Sequence, residues 1–232
     1  MKTRTQKRLA AVSMIEVLMV LAALLVLAAI FLPALMRRRH PSTSRAPRIQ
    51  CVNNLKQIGL AYRVWEGDNN DTYPMFVSQT NGGSMEFTNG ANAWRHFQVM
   101  SNELSTPKIL FCPVESDANR ICANTFGGMP GPNMFMSNSN VSFFVGIVSN
   151  EMNPELILSG DHNLTNGAAV KNGMLELTAS QPLGWTREIH NQLGNIGLAD
   201  GSVQQVGNTA LRSQVASSGA ATNLIQMPVL AP

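Results

Sequence analysis

Two histidines and two aspartates in the C-terminal half are the side chains best suited to chemistry: Asp161, His162, His190 and Asp200. A histidine beside a carboxylate can act as a general base with its orienting partner, and the four together could hold a metal ion for hydrolysis. However, Asp200 precedes Gly201 in a turn, where an aspartate bonds local backbone and tolerates left-handed conformations. The sequence also lacks a Gly-x-Ser-x-Gly motif, a phosphate-binding loop and a His-Glu-x-x-His motif. It therefore predicts a structural role for His190, bonding across a hairpin or capping a sheet, and neither a catalytic site nor a cofactor.

The cysteines are Cys51, Cys112 and Cys122. In an oxidising compartment this odd number predicts one disulfide and one free thiol. A bond between Cys112 and Cys122 would close a small loop, whereas one between Cys51 and Cys112 would tie a helix to the rest of the globular part. The spacing alone leaves both pairings open. No second cysteine pair or histidine pair has metal-ligand spacing, so the sequence predicts no zinc site.

A single carboxylate, Glu16, precedes a long apolar segment. Residues 17–36 are twenty residues without a charge, and basic residues flank the segment on both sides: Lys2, Arg4, Lys7, Arg8 and Arg37–Arg39. About 20 apolar residues are needed to cross a bilayer core, and an ionisable group near its centre costs roughly 2.5–3.5 kcal/mol. We therefore predict a transmembrane helix over residues 12–40 and a specific role for Glu16.

The order of a short basic leader, a small residue, Ser-Met-Ile-Glu and an apolar helix resembles the signal of type IV prepilins and type II secretion pseudopilins. The resemblance implies that a prepilin peptidase removes residues 1–11, cuts between Ala11 and Val12, and methylates the new amino terminus. Ala11 and Val12 stand where the family usually has Gly and Phe. Pro33 falls at the twenty-second mature position, where the family commonly has a helix-bending proline. The family also implies that Glu16 meets the amino terminus of a neighbouring subunit during filament assembly.

The other end of the chain carries a second resemblance. His190, nine intervening residues and Asp200-Gly201 are similar to the H-X9-DG signature of a large class of bacterial pilin-like proteins. The Asn-Asn-Leu-Lys-Gln-Ile-Gly patch at 53–59 and the Cys112-Pro113 pair match that class as well. This resemblance favours the Cys51–Cys112 pairing.

The charge of the chain is concentrated in its leader. The 232 residues carry a formal net charge of +3, but without the four basic leader residues thirteen basic residues remain against fourteen acidic ones. Such a balance argues against a nucleic-acid partner. From the prepilin resemblance we expect a single pass through the inner membrane with a periplasmic head that can be assembled into a filament. The expected partners are the prepilin peptidase, the inner membrane and other pilin subunits.

The predicted fold is α+β, with a long N-terminal hydrophobic helix followed by a small pilin-like head built on an antiparallel sheet. A Pro-containing linker over 41–50 separates the helix from the head, residues 51–232. Apolar residues at helical spacing predict a helix over 51–66 that packs under the sheet: Cys51, Leu55, Ile58, Tyr62 and Trp65.

Strand patterns occur at 142–149, 156–159 and 174–177. Asp-Gly at 200–201, between alternating apolar flanks, predicts a hairpin with a two-residue loop. Helices are expected within 91–104 and at 208–217, and a weakly structured tail follows the second of these.

These features predict a structural subunit of a type IV pilus-like or type II secretion pseudopilus-like filament, packed through its N-terminal helix. A non-polymerising, membrane-anchored extracytoplasmic binding protein is the alternative. A metal-dependent hydrolase that uses Asp161, His162, His190 and Asp200 is a third possibility.

Overall fold

The computed structural model of the chain describes residues 14–35, 45–128, 130–131 and 133–230. The chain divides into two compact units, Met1–His40 and Pro41–Pro232. The predicted cleavage site at Ala11 and Val12, and residues 41–44 of the predicted linker, lie outside the described residues.

The first unit contains one helix, α1 (Met14–Leu35), among its described residues, with Glu16 in its first turn and Pro33 near its end. Across the described chain, no helix combines the length and the apolar character required to cross a lipid bilayer. The predicted long transmembrane helix over 12–40 is therefore wrong.

The second unit begins with α2 (Arg45–Asp68), so residues 45–50 of the predicted linker are helical. Pro47 is tolerated there because N–H groups in the first helical turn have no intrahelical acceptor. The predicted apolar face of α2 is confirmed, since all its members are buried: Cys51, Leu55, Ile58, Tyr62 and Trp65. The helix ends before Asn70 and Asp71, which adopt left-handed backbone conformations.

The centre of the second unit is a six-stranded antiparallel sheet with the strand order β4-β8-β1-β2-β6-β7. Its strands are β1 (Phe143–Gly146), β2 (Ile157–Asp161), β4 (Met174–Leu177), β6 (Gly194–Leu198), β7 (Val203–Val206) and β8 (Asn223–Gln226). Strands β3 (Leu164–Thr165) and β5 (Gly184–Trp185) form a separate two-stranded sheet. The head is thus α+β with an antiparallel sheet.

The sheet is covered on both faces, which explains why β1, β2 and β6 are buried along their whole length. On one face, Phe143 and Val145 pack into a core with the buried side of α2. On the other face, Phe144 packs into a second core with residues of β3, β5 and helix α5 (Asn208–Ser217). Alternate residues of β1 therefore enter different cores, as the two-residue period of a strand requires.

Short helices complete the layer beside α2. They are α3 (Ala93–Val99) and α4 (Ser101–Leu104), with 3-10 turns at Pro74–Phe76, Gln79–Asn81, Met85–Phe87, Pro107–Leu110 and Asn138–Asn140. The predicted strands at 142–149, 156–159 and 174–177 and the helices within 91–104 and at 208–217 are all found at or near those positions.

The β6–β7 hairpin exists, but its loop has three residues rather than the predicted two. The Leu198 N–H donates to the Ser202 carbonyl at 2.9 Å, and the Gly201 N–H donates to the Leu198 carbonyl at 3.0 Å. Gly201 has a φ of +84°, whereas Asp200 has no positive φ. This is a type I turn followed by a left-handed glycine, which suits three-residue hairpin loops.

The predicted weakly structured tail is also wrong, because it contains β8, which pairs with β1 on one side and β4 on the other. The sequence pattern does not predict this strand because Asn223 and Gln226 at its ends are polar. Both are buried. Their amide groups form side-chain hydrogen bonds inside the head, which offsets the cost of burying them.

Candidate functional site

The fold brings Cys51, Cys112, Asp161, His190 and Asn195 into one buried group, here called the disulfide–histidine cluster. Cys51 lies on α2, Cys112 follows the 3-10 turn at Pro107–Leu110, and Asp161 ends β2. Asn195 lies on β6 and His190 lies in the loop that precedes it. All five are buried, the least of them His190 at 5% exposure.

A disulfide joins Cys51 to Cys112, with 5.4 Å between their Cα atoms. This is the pairing that the pilin-like resemblance favours, and Cys122 is the free cysteine. The bond links the second turn of α2 to the segment that leads into β1. It therefore fixes the helix against the sheet from the side on which the first core lies.

The imidazole of His190 stands against the disulfide. Its Nε2 atom is 3.5 Å from Cys112 Sγ, 3.4 Å from Asp161 Oδ2 and 3.2 Å from Asn195 Nδ2. Asn195 donates to Asp161 Oδ2 twice, from its backbone N–H at 2.7 Å and from Nδ2 at 2.8 Å. One nitrogen of His190 therefore points at a sulfur and a carboxylate together.

The loop that carries His190 is held in an uncommon conformation. His190, Asn191 and Gln192 have φ values of 56°, 51° and 64°, a left-handed run that costs roughly 1–2 kcal/mol per non-glycine residue. The side chain of Asn163 stabilises this loop by donating to three of its carbonyls: Thr186, Ile189 and Leu193. Because the backbone is fixed in this way, the imidazole is aimed inwards rather than at solvent.

Burial controls the protonation of the cluster. It raises the pKa of Asp161 to about 7. The hydrogen bonds from Asn195 lower this pKa and offset the effect of burial only in part. It lowers the pKa of His190 to about 4. Burial therefore favours the neutral form of both groups.

A second buried group lies beside the cluster and contains Glu115 and His162. Glu115 Oε2 is 2.9 Å from His162 Nε2 and accepts a hydrogen bond from Ser142 Oγ at 2.8 Å. Burial alone would raise the pKa of Glu115, but the hydrogen bonds and charge of its neighbours lower it to about 2. Arg120 approaches the same oxygen at 3.8 Å. The carboxylate is thus ionised and balanced within the head.

A cavity of about 320 Å³ separates these two groups from the surface, lined by residues 113–116 and 187–191. His190 and Glu115 both contribute to its wall. The side chain of His190 is fully buried, so the cavity borders the loop that carries His190 and not its imidazole.

The structure brings together only some of the residues predicted to share a site. Asp161 and His190 meet, whereas His162 points to Glu115. Asp200 is exposed in the β6–β7 turn, where its Oδ1 accepts the Ser202 N–H at 2.7 Å, and Gly201 completes that turn. His190 Nε2 instead meets Asn195, five residues along the chain in β6, so this contact is local and is not the predicted bond across the hairpin.

Sequence reasoning missed Asn195 and Glu115. The available signal for Asn195 was a polar residue in the middle of an otherwise apolar strand, because such a residue needs a buried partner. Glu115 carried no such signal, since an isolated glutamate in a loop is ordinarily a solvated surface residue.

The chain was compared with protein-family models, with curated proteins and with solved structures, and none of the three comparisons gave a match.

Proposed function

We propose that this protein is a structural subunit of a type IV pilus-like or type II secretion pseudopilus-like filament, assembled through α1. The observation that carries the proposal is the uncovered surface of this helix. Every side chain described from residue 14 to 28 is exposed, and all of them are apolar except Glu16. A helix that is apolar on all sides is stable only when other surfaces cover it. Copies of the same helix provide such surfaces.

Glu16 gives this packing its specificity. Packing α1 among other copies of itself would bury the Glu16 carboxylate, and an unpaired buried carboxylate costs several kcal/mol. The amine that prepilin processing would create at Val12 is a suitable partner from a neighbouring subunit. Within one chain the two groups are four positions apart in the sequence. A neighbouring subunit that brings its own Val12 amine to Glu16 would set the axial register of the filament.

The disulfide supports an extracytoplasmic head. The Cys51–Cys112 bond forms and persists in oxidising compartments, such as the periplasm, and is rare in the cytosol. A filament subunit of this class presents its head outside the cytoplasm, so the redox state and the proposed function agree.

Substitution of Glu16 tests the proposal. The Glu16→Ala variant should lose fibre formation, measured by sedimentation and electron microscopy, while near-ultraviolet circular dichroism of the head is unchanged. Val17→Ala is the matched control, since it shortens the adjacent side chain without removing a charge, and should still form fibres. Fibres from Glu16→Ala equal to those of the unsubstituted chain would refute the role of the carboxylate.

Processing is a second, independent test. The intact mass of the protein purified from cells with an active prepilin peptidase should correspond to a chain that starts at Val12, with or without one methyl group. A persistent full-length chain would instead favour the anchored, non-polymerising binding protein.

A further inference from the structure

We propose that Cys51, Cys112 and His190 form a latent Zn²⁺ site that becomes available when the disulfide is reduced. The two sulfurs and one imidazole nitrogen all lie within 4.8 Å of one another, and all three residues are buried. Two cysteine thiolates and a neutral histidine are ligands that zinc prefers. No zinc-ligand spacing is visible in the sequence because the fold, and not a local motif, assembles these three residues.

The distances suit a tetrahedral zinc ion. A thiolate sulfur at about 2.3 Å and an imidazole nitrogen at about 2.0 Å from the metal would stand roughly 3.6 Å apart at a tetrahedral angle. His190 Nε2 and Cys112 Sγ are 3.5 Å apart. The nitrogen that faces the sulfur therefore needs little movement. Reduction breaks the S–S bond and lets the two sulfurs separate, which opens the position between them.

A carboxylate borders the site, although Asp161 lies outside the group of three whose ligand atoms are all within 4.8 Å of one another. Asp161 Oδ2 lies 3.4 Å from His190 Nε2, and Asp161 Oδ1 is buried without a hydrogen-bond partner among the described residues. A buried carboxylate oxygen without a partner is uncommon in folded proteins. A water bound to Zn²⁺ and held by Asp161 would satisfy it.

The chemistry balances in two steps. A phosphine transfers two electrons to the disulfide, water supplies the oxygen of the phosphine oxide, and its two protons go to the sulfurs. Zn²⁺ then displaces one proton from each thiol and binds both thiolates and the imidazole, so two protons are released for each ion bound. Reoxidation of the thiols expels the metal. Disulfide and zinc are therefore alternative states of the same pair of cysteines.

The test uses the full chain, either oxidised or reduced with a phosphine and freed of reagent under argon. Zn²⁺ is titrated in competition with a chromophoric chelator, and Co²⁺ serves as the spectroscopic probe. The reduced chain should bind one ion and show the thiolate charge-transfer and visible bands of tetrahedral Co²⁺. The oxidised chain should bind none. Metal binding by neither form, or equal binding by both, would overturn the proposal.

Variants separate this site from adventitious binding to two free thiols. His190→Gln should weaken Zn²⁺ binding by at least the roughly 10–100-fold that even an outer partner of a zinc ligand contributes. Asp161→Asn should weaken it less and alter the Co²⁺ bands. Cys122→Ala removes a cysteine outside the site and should change neither affinity nor spectrum.

Folding of the reduced chain provides the remaining control. If reduction alone loosens the head, Zn²⁺ should restore its near-ultraviolet circular dichroism, because a structural metal stabilises the folded state that contains its site. Zn²⁺ bound with equal affinity by the His190→Gln chain, or bound without recovery of that signal, would show that the metal binds cysteines of an unfolded chain and would refute the site.

Discussion

Removal of the Cys51–Cys112 disulfide should lower the free energy of unfolding of the head by about 4 kcal/mol. The bond closes a loop with a sequence separation of 61 residues. For a loop of that size the cross-link removes about 14 cal/mol/K of entropy from the unfolded chain, which is about 4 kcal/mol at 25 °C. Both cysteines are fully buried, so Cys51→Ala with Cys112→Ala also removes packing and makes this value a minimum.

Urea-induced unfolding followed by tryptophan fluorescence measures the effect. Trp65, Trp94 and Trp185 all belong to the second unit, so the signal reports on the head and not on α1. A chelator is included in every sample, which prevents Zn²⁺ from stabilising the reduced form. The slope against urea should rise slightly in the double variant, because an uncrosslinked chain exposes more surface when it unfolds.

Cys122→Ala is the control, because it removes a cysteine that forms no disulfide, and its unfolding free energy should change by less than about 1 kcal/mol. A double variant that loses less than about 1 kcal/mol would refute the reasoning. It would mean either that the unfolded chain is already compact around these residues or that native strain cancels the entropic gain.

The contribution of His96 to the unfolding free energy should also fall by up to about 3 kcal/mol as the pH decreases from 6.5 to 4, because burial lowers the pKa of His96 to about 4 and the unfolded chain takes up the proton first. His96→Gln should flatten this dependence in urea titrations at several pH values, and an unchanged slope would exclude His96 as its source. Gly194→Ala should destabilise the head by at least about 1–3 kcal/mol, since a Cβ atom there would lie 2.3 Å from the Trp185 ring. Gly67→Ala meets open space and should change stability by less than about 1 kcal/mol in the same assay, and equal effects of the two substitutions would contradict the packing argument.

The elements that sequence reasoning located correctly are those with a clear periodic pattern. The apolar residues of α2 recur at helical spacing, and α5 is bounded as the pattern predicts, over 208–217. The same kind of reasoning failed for β8, whose polar ends are buried and hydrogen-bonded within the head. Periodicity identifies residues that face an apolar core, but it cannot identify a polar residue whose partner lies far away in the chain.

The hairpin shows a finer limit. Asp200-Gly201 correctly indicated a turn between two strands, but the same dipeptide suits a two-residue loop and the last two positions of a three-residue loop. Pairing of Gly197 with Val203 selects the longer loop. Hence the register of the strands, which the whole sheet determines, selects between the two loop lengths that the local sequence allows.

The candidate site was even less accessible to sequence reasoning. His190 and Asp161 were recognised as titratable residues, but Cys51 lies far from both in the chain and joins them only because α2 packs against the sheet near β2 and β6. The loop of left-handed residues that aims His190 inwards depends on Asn163, whose amide bonds three separate carbonyls. The spacing of residues in the sequence predicts neither the direction of the imidazole nor the closeness of the sulfurs to it.

The two proposals can fail separately because they depend on different units of the chain. The filament proposal depends on Glu16 and the exposed apolar surface of α1, whereas the zinc proposal depends on the cluster in the head. If the chain is exported as the filament proposal requires, its cysteines are thiols before export, and Zn²⁺ bound by Cys51 and Cys112 would keep Cys122 from pairing with either of them. If the Cys51–Cys112 bond forms faster from the zinc-loaded thiol form than from the metal-free form, the zinc form precedes the disulfide during folding. An equal or slower yield of the Cys51–Cys112 bond would show that the metal form has no part in it.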